Sequence, residues 1–143
     1  MRGVNKMKIL VVDNDTAYRE YLEEILSLLG HRAVGVADGY DAIDYVMDHD
    51  IDLAYIDINL PGMDGFHTFK KIREIDLNVS SVMIFKNIDK ELVKNRHQEG
   101  VLFFLKKPFT VYEIELIDNS FKDILPIRED TMVIEALSLV ENF

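Results

Sequence analysis

The sequence predicts an α/β protein in which a five-stranded parallel sheet is covered by helices on both faces. Three observations lead there. Short apolar runs alternate with segments of helical period from one end of the chain to the other. The runs are continuous rather than alternating, as befits strands buried on both faces. Charged or amide residues follow the strands, at the edge where sheets of this kind place their ligands. Five such units in strict alternation, joined by right-handed crossovers, imply a doubly wound sheet, and the expected strand order is 2-1-3-4-5.

Ile9-Leu10-Val11-Val12 is the first strand. A helical stripe of Tyr18, Tyr21, Leu22, Ile25, Leu26 and Leu29 follows and stops at Gly30. Asp15 immediately precedes that helix and suits its N-cap. Arg32 to Ala37 reads as the second strand, and Tyr40, Ile43, Val46 and Met47 as the stripe of a short helix. Leu53-Ala54-Tyr55-Ile56 makes the third strand, ending at Asp57. A loop with Pro61, Gly62 and Gly65 leads into a helix through Phe66, Phe69 and Ile72. Val82 to Phe85 is the fourth strand, and Asp89 can cap a helix expected to run to Gly100. Val101 to Leu105 is the fifth. The next helix opens with Thr110 and Glu113 in capping-box spacing.

Composition narrows the function classes. With 143 residues, one domain with a proper core is favoured. The chain has no cysteine, which excludes disulfides and thiolate metal sites. Sixteen basic against 26 acidic residues give a net charge of −10, the wrong sign for nucleic-acid binding. No apolar run approaches the roughly 20 residues needed to span a bilayer. Met1 to Lys8 lacks a signal-peptide stretch, so a cytoplasmic location and no membrane partner are expected. His31, His49, His67 and His97 show no ligand spacing and are assigned no role.

The strand-end residues carry the chemistry: Asp13, Asn14 and Asp15, then Asp57, Lys86 and Lys107. In the expected order the first and third strands are neighbours, bringing Asp13 and Asp57 together. Close carboxylates repel unless a cation or proton intervenes, which points to a Mg²⁺ site. Mg²⁺ would keep several waters and accept a phosphate oxygen, and a lysine across the pocket would pair with an incoming phosphoryl group.

Three segments carry a resemblance: Ile9-Leu-Val-Val-Asp-Asn-Asp15, Ile56-Asp-Ile-Asn-Leu-Pro-Gly-Met-Asp-Gly65 and Leu105-Lys-Lys-Pro-Phe109. In order and spacing they look like the signature segments of response-regulator receiver domains, and the likeness covers about residues 7–125. It implies a flavodoxin-like fold and a phosphorelay role, with Asp57 accepting a phosphoryl group from a histidine kinase or phosphotransfer protein. Asp13 would belong to the acidic metal pair, Asn59 would offer its backbone carbonyl to Mg²⁺, and Lys107 would pair with the phosphate. Pro108 is the position of a usually cis bond. Such a domain is a signalling phospho-acceptor rather than an enzyme, with at most autophosphatase activity, and switches an effector, in some cases through a homodimer.

The sequence departs from the pattern at two positions. Asn14 stands where the second acid of the metal pair is expected, and Lys86 where a small hydroxyl residue is usual. Lys86 can reach solvent on its flexible stem or turn toward Asp57 as a fixed positive charge. Phe104 occupies the aromatic switch position but reads as ordinary core packing rather than as a moving switch. These departures keep open a phosphorylation-independent interaction module. A remote alternative is that Asp13-Asn14-Asp15-Thr16 resembles the nucleophile motif of haloacid-dehalogenase-type phosphatases, with Asp13 attacking. That reading lacks a late acidic metal pair and leaves Asp57 unexplained. Residues 126–143 outrun a minimal receiver. Pro126 breaks the preceding helix, and a further helix from about residue 131 is expected as a linker or dimer contact.

Overall fold

The computed structural model describes residues 6–123. Along them run β1 (Lys8–Val12), α1 (Thr16–Leu28), β2 (Arg32–Val36), α2 (Gly39–Asp48) and β3 (Leu53–Asp57). Next come α3 (Gly65–Ile75), β4 (Ser80–Phe85), α4 (Lys90–Asn95), β5 (Val101–Lys106) and α5 (Val111–Asp123). Every neighbouring pair of strands is parallel, in the expected order β2-β1-β3-β4-β5. The expected additional helix and the whole 126–143 extension lie outside the described residues. No described helix is long and apolar enough to cross a membrane.

The continuous apolar runs have a simple cause. Successive strand side chains point to opposite faces, and here both faces are covered. Leu10, Val12, Ala54, Ile56, Met83, Phe85 and Phe104 belong to the core that α2, α3 and α4 close. Ile9, Val11, Leu53, Tyr55, Val82, Ile84 and Leu105 belong to the core that α1 and α5 close. Each fully buried aliphatic side chain contributes about 1.5–3 kcal/mol before entropy is counted, so neither face tolerates a polar residue cheaply.

Acidic residues set the helix starts. Asp15, Asp38, Asp64 and Asp89 each sit at an N-cap and accept backbone N–H bonds from the first turn. Part of the negative charge is thus spent on capping. Helix α1 stops where the sequence indicated: Gly30 has φ 98° and donates to Ser27, while the His31 N–H donates back to Leu26.

Two local expectations need correction. Tyr40 and Met47 are exposed, and α2 buries Gly39 and Ala42 along with the expected Val46. The reason is close packing: a Cβ at Gly39 would collide with the Thr68 hydroxyl on α3. Helix α4 ends at Asn95 rather than near Gly100. There the Gln98 N–H bonds to the Asn95 carbonyl, and its side-chain amide donates to the Phe66 carbonyl, drawing the chain off the helix path.

His31, which sequence reasoning left without a role, is buried immediately before β2. Its Nδ1 accepts the Met7 N–H at 3.0 Å, which leaves Nε2 to donate to Asp118 Oδ1 at 2.6 Å. One imidazole therefore ties the starts of β1 and β2 to α5.

The start of α3 positions Asp57. The Gly65 N–H bonds to the Ile58 carbonyl at 2.9 Å, and a Cβ at Gly65 would collide with the Asp57 carbonyl and lie 2.8 Å from Ile58 Cα. Gly65→Ala is accordingly expected to lower unfolding free energy by about 2 kcal/mol, read from a urea titration. An unchanged midpoint would mean that the loop yields without cost.

Candidate functional site

Strands β1 and β3 lie side by side, with Val12 paired to Ile56. The next residues, Asp13 and Asp57, therefore meet at the carboxyl edge of the sheet. Neighbouring strands fix each backbone. Asp13 N–H bonds to the Val36 carbonyl at 3.2 Å, Ile58 N–H to Ile84 at 2.8 Å, and Lys107 N–H to Phe85 at 2.8 Å. The Lys107–Pro108 peptide bond is cis.

Asp13, Asp57 and Lys107 are only 2%, 6% and 6% exposed. Lys107 Nζ lies 2.6 Å from Asp57 Oδ2. It also lies 3.0 Å from Asp13 Oδ2 and 3.3 Å from Asp13 Oδ1. Backbone donors hold the other side of each carboxylate: Asp15 N–H reaches Asp13 Oδ1 at 2.9 Å and Asn59 N–H reaches Asp57 Oδ1 at 2.7 Å. Asp13 Oδ2 accepts no aligned hydrogen bond, so Lys107 meets it as a point charge.

The electrostatics follow from that arrangement. Burial holds the Asp13 carboxyl above its ordinary 3.8, and the charge of Asp57 adds to this, against the lowering effect of Asp15 N–H and Lys107. Burial opposes the Lys107 ammonium, but hydrogen bonds to Asp57 and Asp13 and their charges outweigh it, so its pKa stands above the usual 10.5. The signs differ. The Lys107 contribution to stability is present below about 10.5 and is lost as pH rises through the higher folded value. For Asp13 the raised value means that ionisation costs stability as pH climbs past 3.8.

The donor chemistry fits a hard cation. Mg²⁺ takes oxygen ligands, keeps several waters and needs one or two carboxylates from a protein. Asp13 Oδ2 is a buried carboxylate oxygen without an aligned donor, Asp57 lies beside it, and the Asn59 backbone adjoins them. Asn14 is exposed and adds no charge. Among the described residues no group of three or more His, Asp or Glu converges as a ligand cluster. The set is therefore two carboxylates, with most of the coordination sphere left to water.

The remaining predicted positions separate. Lys86 is exposed, and the cation held against Asp57 is Lys107. Phe104 is 5% exposed and packs edge-on to Phe85 at 6.5 Å, inside the α3–α4 core. Asp15 turns its carboxylate onto Ala17 and Tyr18 N–H as the expected cap of α1. Sequence reasoning missed Tyr18, whose ring lies against the Lys107 ammonium. Helical periodicity could place it on the inward face but not over that lysine.

Comparisons with known proteins agree with this fold. The family model for the response regulator receiver domain matches residues 9–117. Sporulation initiation phosphotransferase F of Bacillus subtilis is 29% identical over 123 residues, which cover 86% of this chain and 97% of that protein. Sensor histidine kinase RcsC of Salmonella typhimurium is 32% identical over 105 residues, covering 73% of this chain but 11% of that protein. The chain thus spans about a tenth of that kinase. Among solved structures, the receiver domain of a Pseudomonas aeruginosa sensor histidine kinase, with a magnesium ion coordinated in its active site cleft, is 28% identical. It superposes with a TM-score of 0.70, covering 80% of this chain and 95% of its own. The chain belongs to the response regulator receiver domain family.

Proposed function

We propose that Asp57 is the phospho-acceptor of this receiver, charged by a histidine kinase or phosphotransfer protein. The observation that carries the reading is the buried Lys107 ammonium, 2.6 Å from Asp57 Oδ2 and beside Asp13 at the sheet's carboxyl edge. An Asp57 oxygen attacks the phosphorus of a phosphohistidine. The new O–P bond forms as the P–N bond breaks, and the departing imidazole takes a proton from solvent. Asn59 N–H orients the carboxylate, and Lys107 turns from it to the phosphoryl oxygens. Mg²⁺, held by Asp13, Asp57 and the Asn59 carbonyl, would neutralise the gathered oxygens. The added charge then shifts a surface around α4, β5 and α5 toward a partner-binding state, with the Phe104 side of β5 adjoining it. Residues 7–125 form the receiver in this reading, and 126–143 a linker or dimer contact to the effector.

A second reading has specific support. Lys107 already bridges both carboxylates, and Asn14 withholds one negative charge from the metal. The exposed Lys86 adds a further cation to the same edge. These features favour a protein-interaction module that works without phosphorylation.

Acetyl phosphate with Mg²⁺ separates the two. Phosphorylation is expected on the peptide that contains Asp57, detected by mass, and lost in Asp57→Asn. No modification under these conditions would favour the interaction module. The charge balance gives two further expectations. Asn14→Asp should tighten Mg²⁺ binding about tenfold by restoring a nearby negative charge, read by calorimetry. Asp13→Asn should raise the melting temperature of the metal-free domain by about 3 °C, because it removes a buried carboxylate that costs stability once ionised. The same change should weaken Mg²⁺ binding more than about tenfold. A lower melting temperature would instead make the Lys107–Asp13 contact a net stabiliser.

A further inference from the structure

Besides the two carboxylates, the Lys107 ammonium has an aromatic neighbour. Tyr18, in the first turn of α1, sets its ring centroid 4.4 Å from Lys107 Nζ. The Asp15 cap fixes that turn by accepting the Tyr18 N–H at 3.3 Å. The ring leans on Phe109, with centroids 5.4 Å apart and planes at 47°. Phe109 is buried and is stacked at 5.9 Å by Tyr21. The ammonium is thus enclosed by carboxylates on one side and a π face on another.

We propose that Tyr18 is a positioning residue for phosphoryl transfer, holding the Lys107 ammonium in the pocket through its ring face. The inference rests on the reading of Asp57 as phospho-acceptor. A lysine within about 6 Å of a ring centroid is attracted by the ring quadrupole, more so where water is excluded. Lys107 needs such a guide because its four-carbon stem is flexible and its charge is a point rather than a fork. On phosphorylation the ammonium has to leave a carboxylate for a phosphoryl oxygen without leaving the pocket. A ring suits that shift, since its attraction is spread over a face, so the cation can slide while one side stays covered. Holding the charge near its final place lowers the cost of orienting it when the phosphoryl group arrives.

Three variants test this: Tyr18→Phe keeps the ring face, Tyr18→Leu keeps only apolar bulk, and Tyr21→Leu removes aromatic packing on Phe109 without touching the lysine. Two measurements are made on each. One is the ring-current shift of the Lys107 ammonium signal in ¹⁵N-lysine NMR. The other is the initial rate of Asp57 phosphorylation by acetyl phosphate at saturating Mg²⁺. Tyr18→Phe and Tyr21→Leu are expected to keep the upfield-shifted signal and stay within about twofold of the parent rate. Tyr18→Leu is expected to lose the shift and slow about fivefold. Equal behaviour of Tyr18→Leu and Tyr18→Phe in both measurements would overturn the proposal. If the parent protein takes no phosphoryl group, the phospho-acceptor reading fails with the catalytic part of this inference. The NMR shift would still decide whether the ring holds the ammonium.

Discussion

Two carboxylates that close adjacent parallel strands inside a protein repel each other and lose their hydration, and a cation has to offset both costs. The strand order of this sheet creates that situation at Asp13 and Asp57, because β1 and β3 are neighbours and Val12 pairs with Ile56. Lys107 supplies the cation from β5's end, its backbone fixed to Phe85 of β4. The sheet thereby spans the pocket, with acids on β1 and β3 and the base arriving from beyond β4. The glycine at the start of α3 lets the backbone close over Asp57, and the Asp15 cap sets α1 beside it.

The same balance shapes what the proposed chemistry can be. Two negative charges face one positive one, and Asn14 leaves out the third acid. A hard cation in the pocket would compete with Lys107 for Asp13, whose Oδ2 meets the ammonium without hydrogen-bond alignment. In the proposed phosphoryl transfer the competition is resolved by giving each cation its own oxygens. Asp13 and Asp57 would hold the metal, and Lys107 would pair with the phosphoryl group. The Tyr18 face keeps the lysine close while this exchange happens.

Much of this was legible in the residues. Continuous apolar runs such as Ile9 to Val12 betray strands covered on both faces, and their polar ends point to the pocket without any coordinates. Gly30 and the Asp15 and Asp89 caps are local signals whose physics needs no tertiary context. Contacts set by three-dimensional register were not legible. The His31–Asp118 pair joins residues 87 apart in sequence, and no periodicity encodes that meeting. Tyr40 and Met47 kept helical spacing yet face solvent, because α2 approaches α3 through Gly39 and Ala42. Helix α4 was overextended for a similar reason: a Gln98 side chain bonding across to Phe66 ends it, not a breaker residue.

In the proposed reading, Lys107 is the resident counter-ion of the acidic pair and moves to the phosphoryl group when Asp57 is charged. A crystal structure of the domain with Mg²⁺ and beryllofluoride tests this most directly. The expected structure has beryllofluoride on Asp57, Lys107 Nζ against a fluorine rather than Asp13, and Asp13 with the Asn59 carbonyl on the metal. Lys107 still bridging Asp13 and Asp57, with neither metal nor beryllofluoride bound, would contradict it.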